Sequence, residues 1–216
     1  MKNLEFWQFF EANAAAHLGH RQATFRYAFE FLDRLERPVF IVETGCVRKL
    51  DHWSDGQSTL LFDKFVTGLP GSVAHTVDLS PEATALCKTL VSPAVDVHTG
   101  DSVAFLHGLA KNPPARFPHI DLLYLDSYDV DMAAPHPSAL HHLKELIAIS
   151  PLIGPETLVV VDDAPKEVHY IPQGTSGAVF ITDPRVGGKG KYVAEYAESI
   201  GAKRVFSDYQ VAWTGF

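Results

Sequence analysis

Acidic residues that follow short apolar runs carry the first chemical signal in this chain: Glu43, Asp78, Asp101, Asp126, Asp162 and Asp163. Asp and Gly are common at strand ends and helix caps, so any one of these positions has a bland explanation. Acids at five successive run ends are harder to assign to capping alone. A carboxylate at such a place accepts hydrogen bonds from a ribose diol, and Gly45 lets the chain pass close to a ligand. The pattern therefore implies a nucleoside. Carboxylates from neighbouring strand ends can also converge, and hard oxygen ligands suit Mg²⁺ or Ca²⁺ better than zinc, the alternative being that Asp126 faces cofactor or substrate without a metal and Asp162-Asp163 caps a loop. On that ground Asp126, Asp162 and Asp163 are expected to hold a divalent cation, and no Cys/His cluster argues for zinc. A base for the chemistry is sought next to Asp126: Asp129, Asp131 and His136 are the local candidates, with His136 favoured because imidazole titrates near neutral pH. His141 and His142 are adjacent on a helix, so one of them must point away from any site. Cys46 reads as a small packing residue rather than a nucleophile.

The elements that must position these residues follow from hydrophobic spacing. Residues 4–37 are helical in pattern, with Phe6, Phe9 and Phe10 early and Phe25, Phe29 and Leu32 later. The apolar run 39–42 reads as a buried strand stopping in a tight turn at Glu43-Thr44-Gly45. A helix with Leu60, Leu61, Phe65 and Val66 leads to a second strand, 75–79, closed by Ser80-Pro81-Glu82, a good helix opening. Strand 95–98 and a helix with Val103, Leu106 and Leu109 come next. They are followed by strand 120–125 and a helix opened by Pro137 with Leu140, Leu143 and Ile147 on one face. Strand 158–161 ends at Asp162-Asp163. The stretch 164–190 is left unassigned, although it holds a short apolar run at 178–181. A last helix carries Tyr192, Val193, Tyr196 and Ile200, and the runs 204–206 and 211–213 are spaced for an antiparallel hairpin. Strands alternating with helices predict a parallel sheet with ligands at the carboxyl ends of its strands.

With 216 residues the chain suits one domain. Its 46% hydrophobic and 20% charged residues are those of an ordinary globular protein. A net charge of −8 without a dense Lys/Arg block speaks against nucleic acid as a partner. Two cysteines without a Cys-x-x-Cys pair, no bilayer-length apolar run and no leader pattern lead to the expectation of a soluble, cytoplasmic protein that does not engage a membrane.

At this point the residues resemble class I S-adenosylmethionine-dependent methyltransferases from about residue 38 onward. Val42-Glu43-Thr44-Gly45 looks like their first motif, Val77-Asp78-Leu79-Ser80 like their ribose-binding acid, and Gly100-Asp101-Ser102 like their adenine-side turn. The resemblance implies a Rossmann-like α/β fold, with a mostly parallel seven-stranded sheet, a C-terminal antiparallel hairpin and N-terminal helices. It also implies S-adenosylmethionine as cofactor, held by Glu43, Gly45, Asp78, Asp101 and Ser102. The first motif departs from the family in lacking further glycines after Gly45. The loop is therefore expected to return to the cofactor at Asp55, Gly56 and Ser58, where free helix amides bind a carboxylate. Leu125-Asp126-Ser127-Tyr128 with Val161-Asp162-Asp163 is similar to the magnesium site of catechol O-methyltransferase and related sugar O-methyltransferases. That likeness implies Mg²⁺ at Asp126, Asp162 and Asp163 and a hydroxyl of a sugar or small metabolite as acceptor. The lysine those enzymes carry three positions later is Asp129 here, so Asp126, His136 and Asp129 stand as the catalytic expectation. A metal-independent methyltransferase and a non-catalytic nucleoside-binding module are the competing readings. Residues 1–37 are expected to act as a lid or a dimer contact, and residues 38–216 as the methyltransferase domain.

Overall fold

A computed structural model describes residues 3–53, 57–173 and 177–216, with the backbone alone described for 167–173 and 177–184. The helices are α1 Leu4–Phe9, α2 Gln22–Asp33, α3 Ser58–Thr67, α4 Pro81–Leu90, α5 Ser102–Lys111, α6 His136–Ile149 and α7 Lys191–Ile200. The strands are β1 Phe40–Thr44, β2 Val73–Asp78, β3 Val95–Thr99, β4 Ile120–Leu125, β5 Ile153–Val161, β6 Lys166–Gln173, β7 Gly177–Val186, β8 Lys203–Ser207 and β9 Val211–Thr214. Seven of them form one sheet in the order β3-β2-β1-β4-β5-β9-β8. β1 to β5 run parallel, and β9 inserts antiparallel between β5 and β8. This is the expected Rossmann-like sheet with its terminal hairpin. Strand order reverses between β1 and β4, which places a ligand crevice at the ends of those strands.

β1 and β4 are buried along their whole length, as central strands covered on both faces must be. On one face Phe6, Phe25, Phe29, Phe62 and Phe65 pack against Ile41 and Tyr124. On the other, Leu106, Leu146, Ile149 and Val193 pack against Val42, Leu123 and Val159. The N-terminal segment thus belongs to the common core. Phe6 lies 4.4 Å from Phe29 and 5.0 Å from Phe65, ring centre to ring centre. Asn3 caps α1 through Phe6 N–H and donates to the Phe65 carbonyl on α3 at 2.8 Å.

Residues 4–37 are helical as expected, with a π turn over Phe10–Ala14 and two 3₁₀ turns between α1 and α2. The stretch left unassigned contains the hairpin β6–β7, which pairs antiparallel outside the main sheet. One expectation is corrected, that of α6, which buries Ser138, Ala139, His142, Glu145, Leu146 and Ile149, while Leu140 and Ile147 stay 45% and 53% exposed. The apolar stripe misled because the opposite face carries polar groups that the strand ends satisfy.

Candidate active site

The ends of β1, β2, β3 and β4 border a cavity of about 230 Å³ lined by residues that include Gly45, Ser58, Asp78, Asp101, Ser102, Asp126 and Asp129. Gly45 has φ +87°, and a Cβ there would lie 2.8 Å from the Asp126 carbonyl oxygen, so the β1 turn abuts the β4 turn only because this residue has no side chain. Asp78 accepts backbone N–H groups of Cys46 at 3.3 Å and Ser80 at 2.8 Å, one on each oxygen. Each carboxylate oxygen keeps acceptor capacity for a diol. Asp101 caps α5 through Ala104 N–H at 2.8 Å, so its bland role is real, yet it also borders the cavity.

Glu43 does not line the cavity. It is buried beneath, where Oε2 accepts from Thr59 Oγ1 at 2.7 Å, and the same hydroxyl accepts Val47 N–H at 3.0 Å. Its other oxygen, Oε1, is buried without a partner among the described residues. Burial pushes the Glu43 carboxyl up to about 7 against the pull of the Ser58, Thr59 and Thr76 hydroxyls. Glu43 therefore shapes the loop after β1 from below. Asp55 and Gly56 lie outside the described residues.

His141 is the histidine that faces the cavity, whereas His142 is fully buried and bonds the Ser138 carbonyl through Nδ1. His141 Nε2 sits 2.9 Å from Ser102 Oγ and 3.3 Å from Glu145 Oε1. Glu145, unforeseen from the sequence, also accepts from Thr44 Oγ1 at 3.1 Å and Ser127 Oγ at 2.5 Å. Burial alone would raise this carboxyl, but His141, His142 and the serine hydroxyls outweigh it and hold it low. One buried carboxylate thus fastens the ends of β1 and β4 to α6. His136 lies off the cavity and pairs with the Tyr192 hydroxyl at 2.6 Å. Asp129 borders the cavity and pairs with Arg48 at 3.1 Å.

Asp126, Asp162 and Asp163 do converge, with one oxygen of each within 4.8 Å of the others. They meet two cations of the chain itself. Lys189 Nζ lies 2.6 Å from Asp126 and 3.1 Å from Asp163. Arg21 spans Asp162 at 2.8 Å and Asp163 at 2.9 Å, and Tyr209 and Gln210 donate to Asp163 and Asp162. The turn that delivers Lys189 is built for it. Gly188 has φ +52°, and a Cβ there would sit 2.0 Å from the Asp163 carbonyl oxygen, which itself accepts Lys189 N–H at 3.0 Å. Three carboxylates share two cations, leaving one negative charge in excess. Burial and the neighbouring Asp162 accordingly push the Asp126 carboxyl well above its usual range despite Lys189. Burial works against the Lys189 ammonium, but Asp126, Asp163 and Asp162 keep it charged. Neither cation was legible from spacing: Lys189 lies 63 positions from Asp126 and Arg21 lies 141 from Asp162.

No family model and no curated protein matches the chain. Solved structures do. A DhpI–SAH complex is 10% identical over 98% of this chain and 91% of that one, with a TM-score of 0.43. The glycopeptide N-methyltransferase MtfA is 13% identical over 88% and 89%, with a TM-score of 0.46. An S-adenosylmethionine-dependent methyltransferase from Clostridium acetobutylicum ATCC 824 is 10% identical over 85% and 88%, with a TM-score of 0.42. Likeness of this degree carries no argument by itself, and the fold is read from strand order, strand direction and the position of the crevice.

Proposed function

We propose that this protein is an S-adenosylmethionine-dependent methyltransferase acting on a hydroxyl of a sugar or small metabolite, and that it works without a divalent metal at its strand ends. The observation that carries the reading is the cavity that gathers Gly45, Asp78, Asp101 and Ser102 from three separate strand ends beside the reversal of strand order. When bound, the cofactor supplies an electrophilic methyl group on a sulfonium sulfur. Asp78 has the free acceptor capacity to hold the ribose hydroxyls, Asp101 and Ser102 border the adenine side, and Gly45 admits the methionine portion. Asp126 borders the same cavity, and its raised proton affinity suits it to take the proton that the acceptor hydroxyl loses. With the cofactor bound, its methyl group would pass from sulfur to the acceptor oxygen, and Asp126 would hold the proton that the hydroxyl gives up. Arg21 brings the N-terminal segment against Asp162 and Asp163, which supports a role for that segment as a cover on the acceptor side.

Magnesium is left out because the donors do not suit it. Lys189, 2% exposed, and Arg21 already occupy the carboxylate oxygens, and a divalent ion would have to displace an ammonium held by a glycine-framed turn. The test is calorimetric titration with S-adenosylhomocysteine, followed by turnover of S-adenosylmethionine with hydroxyl acceptors in the presence of EDTA. Binding without metal supports the proposal, and absence of binding overturns it.

A further inference from the structure

Away from the cavity, β2 and β3 bring His75, Asp96 and His98 together. His75 stands directly opposite Asp96 in the parallel register, and His98 follows Asp96 by two, so all three side chains leave the same face of the sheet. One ligand atom from each lies within 4.8 Å of the other two. The imidazoles stack at 5.5 Å, with Phe40 against His75 and Phe105 against His98. His75 Nδ1 and His98 Nε2 are both buried atoms without a hydrogen-bond partner among the described residues. The Asp96 carboxylate lies 3.1 Å from His98 Nε2 but at an angle that makes no hydrogen bond. Buried polar atoms are seldom left in this state, and two facing imidazoles beside one carboxylate call for a shared partner.

We infer that His75, Asp96 and His98 form a binding site for a borderline transition-metal dication such as Zn²⁺, separate from the strand-end cluster. Two imidazole nitrogens and one carboxylate are a zinc ligand set, and bond lengths of about 2.0–2.1 Å place ligand atoms within reach of small side-chain rotations from the spacing here. Asp96 is 62% exposed, which provides an entry path and leaves a fourth position to water. The ion ties edge strand β3 to β2 behind the turns that carry Asp78 and Asp101. Unlike the three aspartates, this set contains no Lys or Arg in contact with its carboxylate among the ion pairs described. The site is independent of the methyltransferase reading, and its test needs no cofactor.

Untagged full-length protein is stripped with a chelator and titrated with Zn²⁺ by calorimetry and with Co²⁺ by visible absorption. His75→Gln, His98→Gln and the solvent-facing Asp96→Asn are compared by the same titrations. About one Zn²⁺ per chain is expected, with affinity at least tenfold weaker in each variant and the cobalt d–d bands diminished in parallel. Asp96→Asn changes an exposed group and keeps the comparison valid if a histidine variant fails to fold. Absence of zinc binding by the wild-type chain, or binding that Asp96→Asn and the folded histidine variants leave unaltered, overturns the inference.

Discussion

The two halves of the strand-end surface handle their acids in opposite ways. At β1, β2 and β3, Asp78 and Asp101 make one or two backbone bonds and still border a cavity. At β4 and β5, Asp126, Asp162 and Asp163 turn toward Lys189 and Arg21, and only Asp126 also borders the cavity. Similar residues at similar strand ends therefore serve different ends. The first group keeps acceptor capacity for a ligand, whereas the second is mostly compensated from within by two cations, because desolvated carboxylates so close together are costly without them.

Breaking the closed half has the largest expected effect. Lys189→Ala leaves the half-buried Asp126 without its cation and Asp163 with Arg21 alone, and lowers stability by about 3 kcal/mol, read from urea unfolding at neutral pH. A variant as stable as the wild type would show that the cluster does not depend on its own cation.

Glu43 comes next, at the floor of the open half. Its carboxyl is raised to about 7 from an ordinary value of 4.5, so between those pH values the folded chain holds a proton that the unfolded chain releases. Stability from this group is full below 4.5 and falls as pH rises to 7, by roughly 3 kcal/mol over the interval. Glu43→Gln should remove this fall and be the more stable protein at pH 8, measured by denaturant unfolding at pH 5 and pH 8. Parallel pH profiles for the two proteins would contradict that origin.

Smaller still is the effect of Asp78→Ala. Losing the diol acceptor weakens S-adenosylhomocysteine binding at least tenfold, about 1.4 kcal/mol, beside the smaller stability loss from freeing the Cys46 and Ser80 amides. Equal affinity in calorimetry would remove Asp78 from the site. The smallest expected effect is none: added Mg²⁺ leaves turnover unaltered. A rate that rises with Mg²⁺ and is insensitive to His98→Gln would mean that an ion enters the closed half after all.

Much of the architecture was legible because a strand buried on both faces must be apolar throughout and a helix must repeat at 3.6 residues. Five parallel strands, their acids and the terminal hairpin follow from those patterns. Gly45, Ser58, Asp78, Asp101 and Ser102 line one cavity because parallel topology collects carboxyl-terminal turns at one edge, whereas Glu43 lies beneath it. Periodicity failed on α6, where Leu140 and Ile147 are exposed and Glu145 is buried. Buried polar groups have no signature in hydrophobic spacing when their partners are distant in the chain.

What the sequence by itself determined is the order of elements and the placing of acids at strand ends, because both depend on local periodicity and on turn chemistry. The tertiary structure alone decided which charges meet. Lys189 reaches Asp126 across 63 positions, and Arg21 reaches Asp162 across 141. His75 faces Asp96 only through the register of β2 against β3. Pairing between strands and the docking of distant turns are long-range contacts, and it is the satisfaction of buried charge, not local propensity, that selects them.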